Sequence, residues 1–168
     1  DLLARGLAKA TDTDAVEVGR GVIGRIGTLV CDTLVHDGQP ALVVADDNTW
    51  VAAGATVHAS LDAAGVRTVE PMVFPGEPTL EASYASSNRV RERLRETGAV
   101  GVAVGSGTLN DLTKLASGEL GRRYAVVGTA ASMDGYSGFG APMSRDGVKV
   151  TMSCPAPAVV LIDLDVAA

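Results

Sequence analysis

Three glycine-rich loops hold most of the residues able to do chemistry. The first, Gly19-Arg20-Gly21-Val22-Ile23-Gly24, is a literal GxGxxG. It follows an apolar run, Ala15–Val18, and opens a helical stretch. Asp46 closes the next apolar run 22 positions after Gly24. That context is the one a dinucleotide fingerprint requires. Glycines bring the backbone close to a pyrophosphate, and the helix N-terminus supplies N–H groups and positive dipole. An acidic residue at Asp46 accepts hydrogen bonds from a ribose and repels a 2′-phosphate. The second loop, Gly105-Ser106-Gly107-Thr108-Leu109-Asn110-Asp111, lies in the same strand-to-helix setting but lacks the third glycine. Ser106, Thr108 and Asn110 can donate to phosphate oxygens or cap the helix. Asp111 is expected in the first helical turn, favoured by the dipole, where it would hold the loop or a ribose. On pattern alone the first loop is the stronger phosphate candidate, and a plain strand–helix turn accounts for either one.

The third loop is Gly128-Thr129-Ala130-Ala131-Ser132-Met133-Asp134-Gly135-Tyr136. Its small residues admit a ligand to the backbone. Thr129 and Ser132 offer hydroxyls, and Asp134 can bind a polyol hydroxyl or act as a base, with Tyr136 beside it. A turn in which Asp134 bonds its own backbone explains the same residues. Elsewhere, Asp47-Asn48-Thr49 suits a helix N-cap. His36 and His58 stand apart from any second ligand at metal spacing. Cys31 and Cys154 are expected as free thiols, and Cys154 has no nearby base to make it a nucleophile.

These loops need a scaffold. Short Val-rich runs at Ala15–Val18, Ala41–Ala45, Val66–Val69, Val100–Val104, Tyr124–Val127 and Val159–Ile162 read as strands buried on both faces. Helical stretches fall between them, over Val22–Leu34, Thr49–Ala64, Leu80–Glu96 and Thr108–Leu120. Thr79 is the expected cap of the third, and Gly65, Gly98 and Gly121 are placed to end helices. Ser144-Arg145-Asp146-Gly147 is a hairpin signal inside Gly138–Met152. Alternating strand and helix predicts an α/β fold: a three-layer, Rossmann-like, mostly parallel sheet with helices on both faces and a small inserted β-hairpin. Ligands then bind beyond the carboxyl ends of the strands.

The chain has 168 residues, 46% hydrophobic and 20% charged, enough for one domain with a real core. Its net charge of −6 argues against nucleic acid and anionic membrane as partners. No apolar run approaches the roughly 18 residues of a membrane span. The opening residues show no charged n-region followed by an apolar h-region, so no signal peptide and a cytoplasmic setting are expected.

The segments Gly105–Lys114 and Gly128–Tyr136, together with Ala45–Thr49 and Ile162–Asp165, resemble glycerol-1-phosphate dehydrogenases. Those enzymes group with iron-containing alcohol dehydrogenases, glycerol dehydrogenases and dehydroquinate synthases. The resemblance runs over nearly the whole chain. It implies that residues 1–168 form an NAD(P)-binding domain of the dehydroquinate-synthase-like type. It moves the pyrophosphate to the later loop, so that the cofactor residues are Asp46, Gly105, Ser106, Gly107, Thr108, Asp111, Thr129 and Ser132. Asp134 matches the family's acidic residue at the substrate and nicotinamide, and is the implied catalytic residue. One departure is Gly138, where the family often has a hydroxyl.

The implied cofactor is NAD, with NADP as the other candidate, and the implied substrate is a small polyol or glycerol phosphate. The family's second, helical domain holds a divalent metal (nickel, zinc or iron) through an Asp and two His. Those ligands are expected to lie outside this chain, which alone should bind cofactor and barely turn over. A dehydroquinate-synthase-like lyase and a stand-alone nucleotide-binding module are the alternatives, and a homodimer is an assembly to test.

Overall fold

The computed structural model describes residues 10–131, 133 and 135–167. Six parallel strands form one sheet in the order β1-β8-β5-β4-β2-β3. They are β1 (Ala15–Gly19), β2 (Ala41–Asp46), β3 (Met72–Phe74), β4 (Val100–Gly105), β5 (Tyr124–Gly128) and β8 (Val159–Asp163). The remaining pair, β6 (Ala141–Arg145) and β7 (Val148–Met152), is an antiparallel hairpin. Its turn has Asp146 and Gly147 at positive φ, as the Asp-Gly pair predicts.

The central strands alternate their side chains between two cores. Val43, Ala45, Val102, Val104, Ala125 and Val127 face one side. There they meet α1 (Ile26–Thr33) and α2 (Ala55–Ala63), through Ile26, Val30, Val57 and Leu61. Leu42, Val44 and Phe74 face the other side. That core holds Val90 and Leu94 of α3 (Tyr84–Thr97), Leu109, Leu112 and Leu115 of α4 (Gly107–Glu119), and Ala141 and Met143 of the hairpin. The result is the three-layer α/β arrangement expected from the sequence.

Three local features differ from the sequence expectation. Val66–Val69 makes only an isolated bridge, Ala41 to Thr68, and the edge strand forms later, at Met72–Phe74. Pro71 stands between the two and has no N–H to donate to the ladder. The third helix begins at Tyr84, not Leu80, because Ser83 is the N-cap and its hydroxyl accepts from Ser86 N at 3.1 Å. Finally, the helix after β2 starts earlier than expected and is irregular. Asp47–Thr49 leads into a π-helical segment, Trp50–Gly54, before α2. Gly54 lets the chain pass the Trp50 ring, since a Cβ there would lie 2.7 Å from Trp50 Cε3. Gly65, Gly98 and Gly121 all have positive φ just beyond helix ends, as predicted.

Candidate functional site

Strand order decides which loops can cooperate. From β2 the chain crosses outward to β3, whereas from β4 it crosses the other way to β5. The carboxyl ends of β2 and β4 therefore flank a topological switch point, where open α/β sheets form a ligand crevice. Asp46 ends β2, Gly105 ends β4, and Gly128 ends the neighbouring β5, directly opposite Gly105. The sheet thus brings together Asp46, the 105–108 turn and Thr129. Ser132 and Asp134 lie outside the described residues.

The 105–108 turn is shaped by close packing. A Cβ on Gly105 would sit 2.3 Å from Leu109 Cδ1. A Cβ on Gly107 would sit 2.8 Å from Met133 Cε, on the side where the third loop closes over the turn. Ser106 takes the N-cap position of α4 without making a side-chain cap bond. The first N–H groups of a helix have no partner inside it, so this turn presents backbone donors and the positive end of a 13-residue helix. Asn110 is not available to a ligand: it is fully buried, accepts from Tyr124 Oη at 2.7 Å and points its amide at Tyr136 O.

The third loop is strapped to the second. Thr129 N donates to Gly105 O at 3.1 Å. The Tyr136 ring lies over Gly128, where a Cβ would approach its Cζ to 2.7 Å. The Tyr136 hydroxyl lies 3.2 Å from both Gly105 O and Ala130 O, and accepts from Ala130 N. Burial pushes this phenol's pKa above its ordinary value.

Asp111 falls one turn deeper than expected, at the fifth position of α4. It is nearly buried, with Lys114 Nζ 3.7 Å away. Burial raises its carboxyl pKa to about 6 against the pull of that ammonium. Its exposed edge and Thr108 face a cavity of about 420 Å³ that also takes in Glu81, Met143, Ser144 and Lys149. Asp46 is partly committed to its own helix. Its Oδ1 accepts from Thr49 N at 2.8 Å, and the Thr49 hydroxyl accepts from Asp46 N, closing a capping box. The N-cap is therefore Asp46, while Asp47 accepts from Gly76 N, just beyond β3, at 2.9 Å.

The GxGxxG loop is already filled. Gly21 N and Ile23 N donate to the Asp163 carboxylate at 3.1 and 2.9 Å, and Asp165 N adds a third bond. Asp163 is 1% exposed. Burial alone would raise its pKa, but the N–H groups of Asp165, Ile23, Gly21 and Val22 outweigh that and hold it below the ordinary 3.8. The loop also hangs from β1, the outermost strand, with β8 and β5 between it and β4.

Two groups escaped the sequence reading. Lys114 was visible only as the end of a motif, and Asp163 only as one acid in Ile162–Asp165. Nothing in either local pattern announced a long-range partner. Among the described residues, no three of His, Cys, Asp and Glu gather where they could hold a metal ion. Both cysteines are free. No helix among these residues is long and apolar enough to cross a membrane.

A parallel sheet with an open switch point and a glycine-lined helix N-terminus defines a nucleotide-binding class of α/β fold. The profile of the iron-containing alcohol dehydrogenases matches residues 17–168, and the chain belongs to that family. A glycerol-1-phosphate dehydrogenase [NAD(P)+] from Halalkalibacterium halodurans is 35% identical over 158 residues, 92% of this chain and 38% of that protein. A 3-dehydroquinate synthase from Rhizobium etli is 31% identical over 159 residues, 89% of this chain and 41% of that protein. In fold, an iron-containing alcohol dehydrogenase from Thermococcus thioreducens superposes with a TM-score of 0.75 at 19% identity, over 93% of this chain and 46% of that one. The chain spans about two fifths of the length of these curated relatives.

Proposed function

We propose that this chain is the NAD(P)-binding part of a dehydrogenase acting on glycerol 1-phosphate or a similar polyol phosphate. The observation that carries the proposal is the contrast between the two loops. The 105–108 turn presents helix N-terminal donors at the switch point with no carboxylate bonded to them among the described residues, whereas the 19–24 loop is neutralised by Asp163. A cofactor pyrophosphate has its natural seat on the first. Asp46, with one carboxylate oxygen left over from capping, is suited to the adenosine ribose hydroxyls and disfavours the 2′-phosphate of NADP. Thr129 lies on the side toward which the nicotinamide would extend, and Asp134 is assigned to the reacting end by its place in the motif.

The reaction is reversible hydride transfer. The nicotinamide C4 hydride goes to the C2 carbonyl carbon of dihydroxyacetone phosphate, and the carbonyl oxygen takes a proton. A divalent metal would supply Lewis-acid help in such a reaction. The described residues of this chain offer it no site.

The test is titration of the chain with NADH and NADPH by calorimetry, with Trp50 fluorescence alongside. Saturable binding that favours NADH, and loses that preference in Asp46→Ala, supports the proposal. Absence of binding by the folded chain contradicts it. The 31% identity to a 3-dehydroquinate synthase favours a second reading, in which NAD is bound and recycled by a lyase. Net NADH formation on a polyol phosphate, by a protein that contains this chain together with a metal domain, excludes it.

A further inference from the structure

Lys114 is 2% exposed, and its ammonium is spent on atoms outside its own helix. Nζ donates to Gly138 O at 2.8 Å and to Gly140 O at 3.0 Å, with Asp111 Oδ1 at 3.7 Å. Burying an ammonium is costly, and an apolar side chain of similar size would pack α4 as well or better. What an apolar side chain could not do is hold two backbone carbonyls. Both belong to the stretch that runs from position 134 to the start of β6. Tyr136 ties the start of that stretch to Gly105 O and Ala130 O. Past it, among the described residues, Gly138 N bonds back to Gly135 O, and Gly140 sits at φ 77° with its N–H on Cys154 O. It carries no regular hydrogen-bond ladder until Ala141.

We propose that Lys114 is a positioning residue for the nicotinamide end of the site. It clamps the Gly138 and Gly140 carbonyls to α4, the helix whose N-terminus forms the 105–108 turn. Where Tyr136 ties the start of the segment to Gly105 O, Lys114 ties residues 138–140 to the same unit, with Asp111 keeping the ammonium oriented. This inference rests on the function proposed above and adds a division of labour to it. The 105–108 turn and Asp46 bind the adenosine diphosphate half, and the Lys114 clamp matters for the other half.

The experiment compares NADH with ADP-ribose, which lacks the nicotinamide, on the full 168-residue chain and its Lys114→Met variant. Amide hydrogen exchange is followed in parallel. The expected result is a rise of about tenfold in the NADH Kd, a change of less than about twofold for ADP-ribose, and exchange at least about tenfold faster over 137–141. Equal weakening of both ligands, or no change in either, overturns the inference. If Lys114→Met does not fold, Lys114→Gln, which keeps one NH2 for one carbonyl, is read by the same criteria. A wild-type chain that binds neither ligand instead overturns the functional proposal, and the inference falls with it. That outcome shows in the unsubstituted protein, so the two failures are distinguishable.

Discussion

Two strand–helix turns in this chain share a Gly-x-Gly start and have opposite surroundings. Gly19–Gly24 carries the fuller glycine pattern, yet its amides converge on a carboxylate of the protein itself. Gly105–Thr108 carries the poorer pattern, yet its helix N-terminus lies beside the crevice and Ser106 makes no side-chain cap bond. The chemistry of the two is alike: backbone N–H groups at positive potential, seeking an anion. What differs is the neighbour that strand order supplies. β1 pairs with β8, whose last residue is Asp163, so the anion is built in. β4 pairs with β5, which ends in Gly128, so that strand end supplies no carboxylate: the side chains that approach there are the Tyr136 ring over Gly128 and Met133 beside Gly107. A glycine motif specifies an anion site, but the adjacent strand end decides whether the anion is a ligand.

The sharpest way to break this comparison is to block each turn in the same manner. Gly107→Val puts a branched side chain at the mouth of the α4 N-terminus, where the nearest obstacle is the flexible end of Met133. Loss of charge-assisted bonds to phosphate should weaken NADH by about 10- to 100-fold with little change in melting temperature. Gly21→Val should leave the NADH Kd unchanged. A calorimetric titration of the two variants decides the matter.

Emptying the filled loop is the reverse test. Asp163→Ala leaves the Gly21 and Ile23 amides without their acceptor. The expected loss is about 3 kcal/mol by urea unfolding, with NADH affinity retained. Asp46→Ala should cost about 1 kcal/mol through the lost cap and weaken NADH more than NADPH, read as a change in their Kd ratio.

The carboxylates of the two regions also titrate with opposite signs. Asp163 has a pKa held below the ordinary 3.8, so its stabilisation is present above that value and is lost as pH falls through the lower native one. Asp111 is raised from 3.8 to about 6, so its charged form costs stability above pH 6. That cost is relieved as pH falls from 6 toward 3.8. The stability gap between wild type and Asp163→Ala should hold constant down to about pH 4 and shrink below it. The gap between wild type and Asp111→Asn should instead change between about pH 4 and 6. Urea titrations across that range separate the two. The smallest effect is that of Gly21→Ala: its φ of 63° has open space around it, so the cost is about 1 kcal/mol of backbone strain.

Much of the fold was legible from the Val-rich runs, because strands buried on both faces must be continuously apolar. The limits came from single residues with local vetoes: Pro71 split the edge strand, and Ser83 captured the cap expected at Thr79. At the site, the motifs pointed to the carboxyl ends of β2, β4 and β5, since those follow from strand–helix alternation. The partners of Lys114 and Asp163 were not legible. The first reaches 24 and 26 residues along the chain, and the second reaches back 142 and 140. Such distances depend on strand order, which local periodicity does not encode. The GxGxxG pattern gave no sign of Asp163 for the same reason.

The most direct test of the two-loop account is an NADH titration of the 15N-labelled chain, followed residue by residue. The account predicts saturable amide shifts at Ser106, Gly107 and Thr108, and none at Gly21, Val22 and Ile23. Shifts confined to Gly21–Ile23, with the 105–108 amides silent, would contradict it.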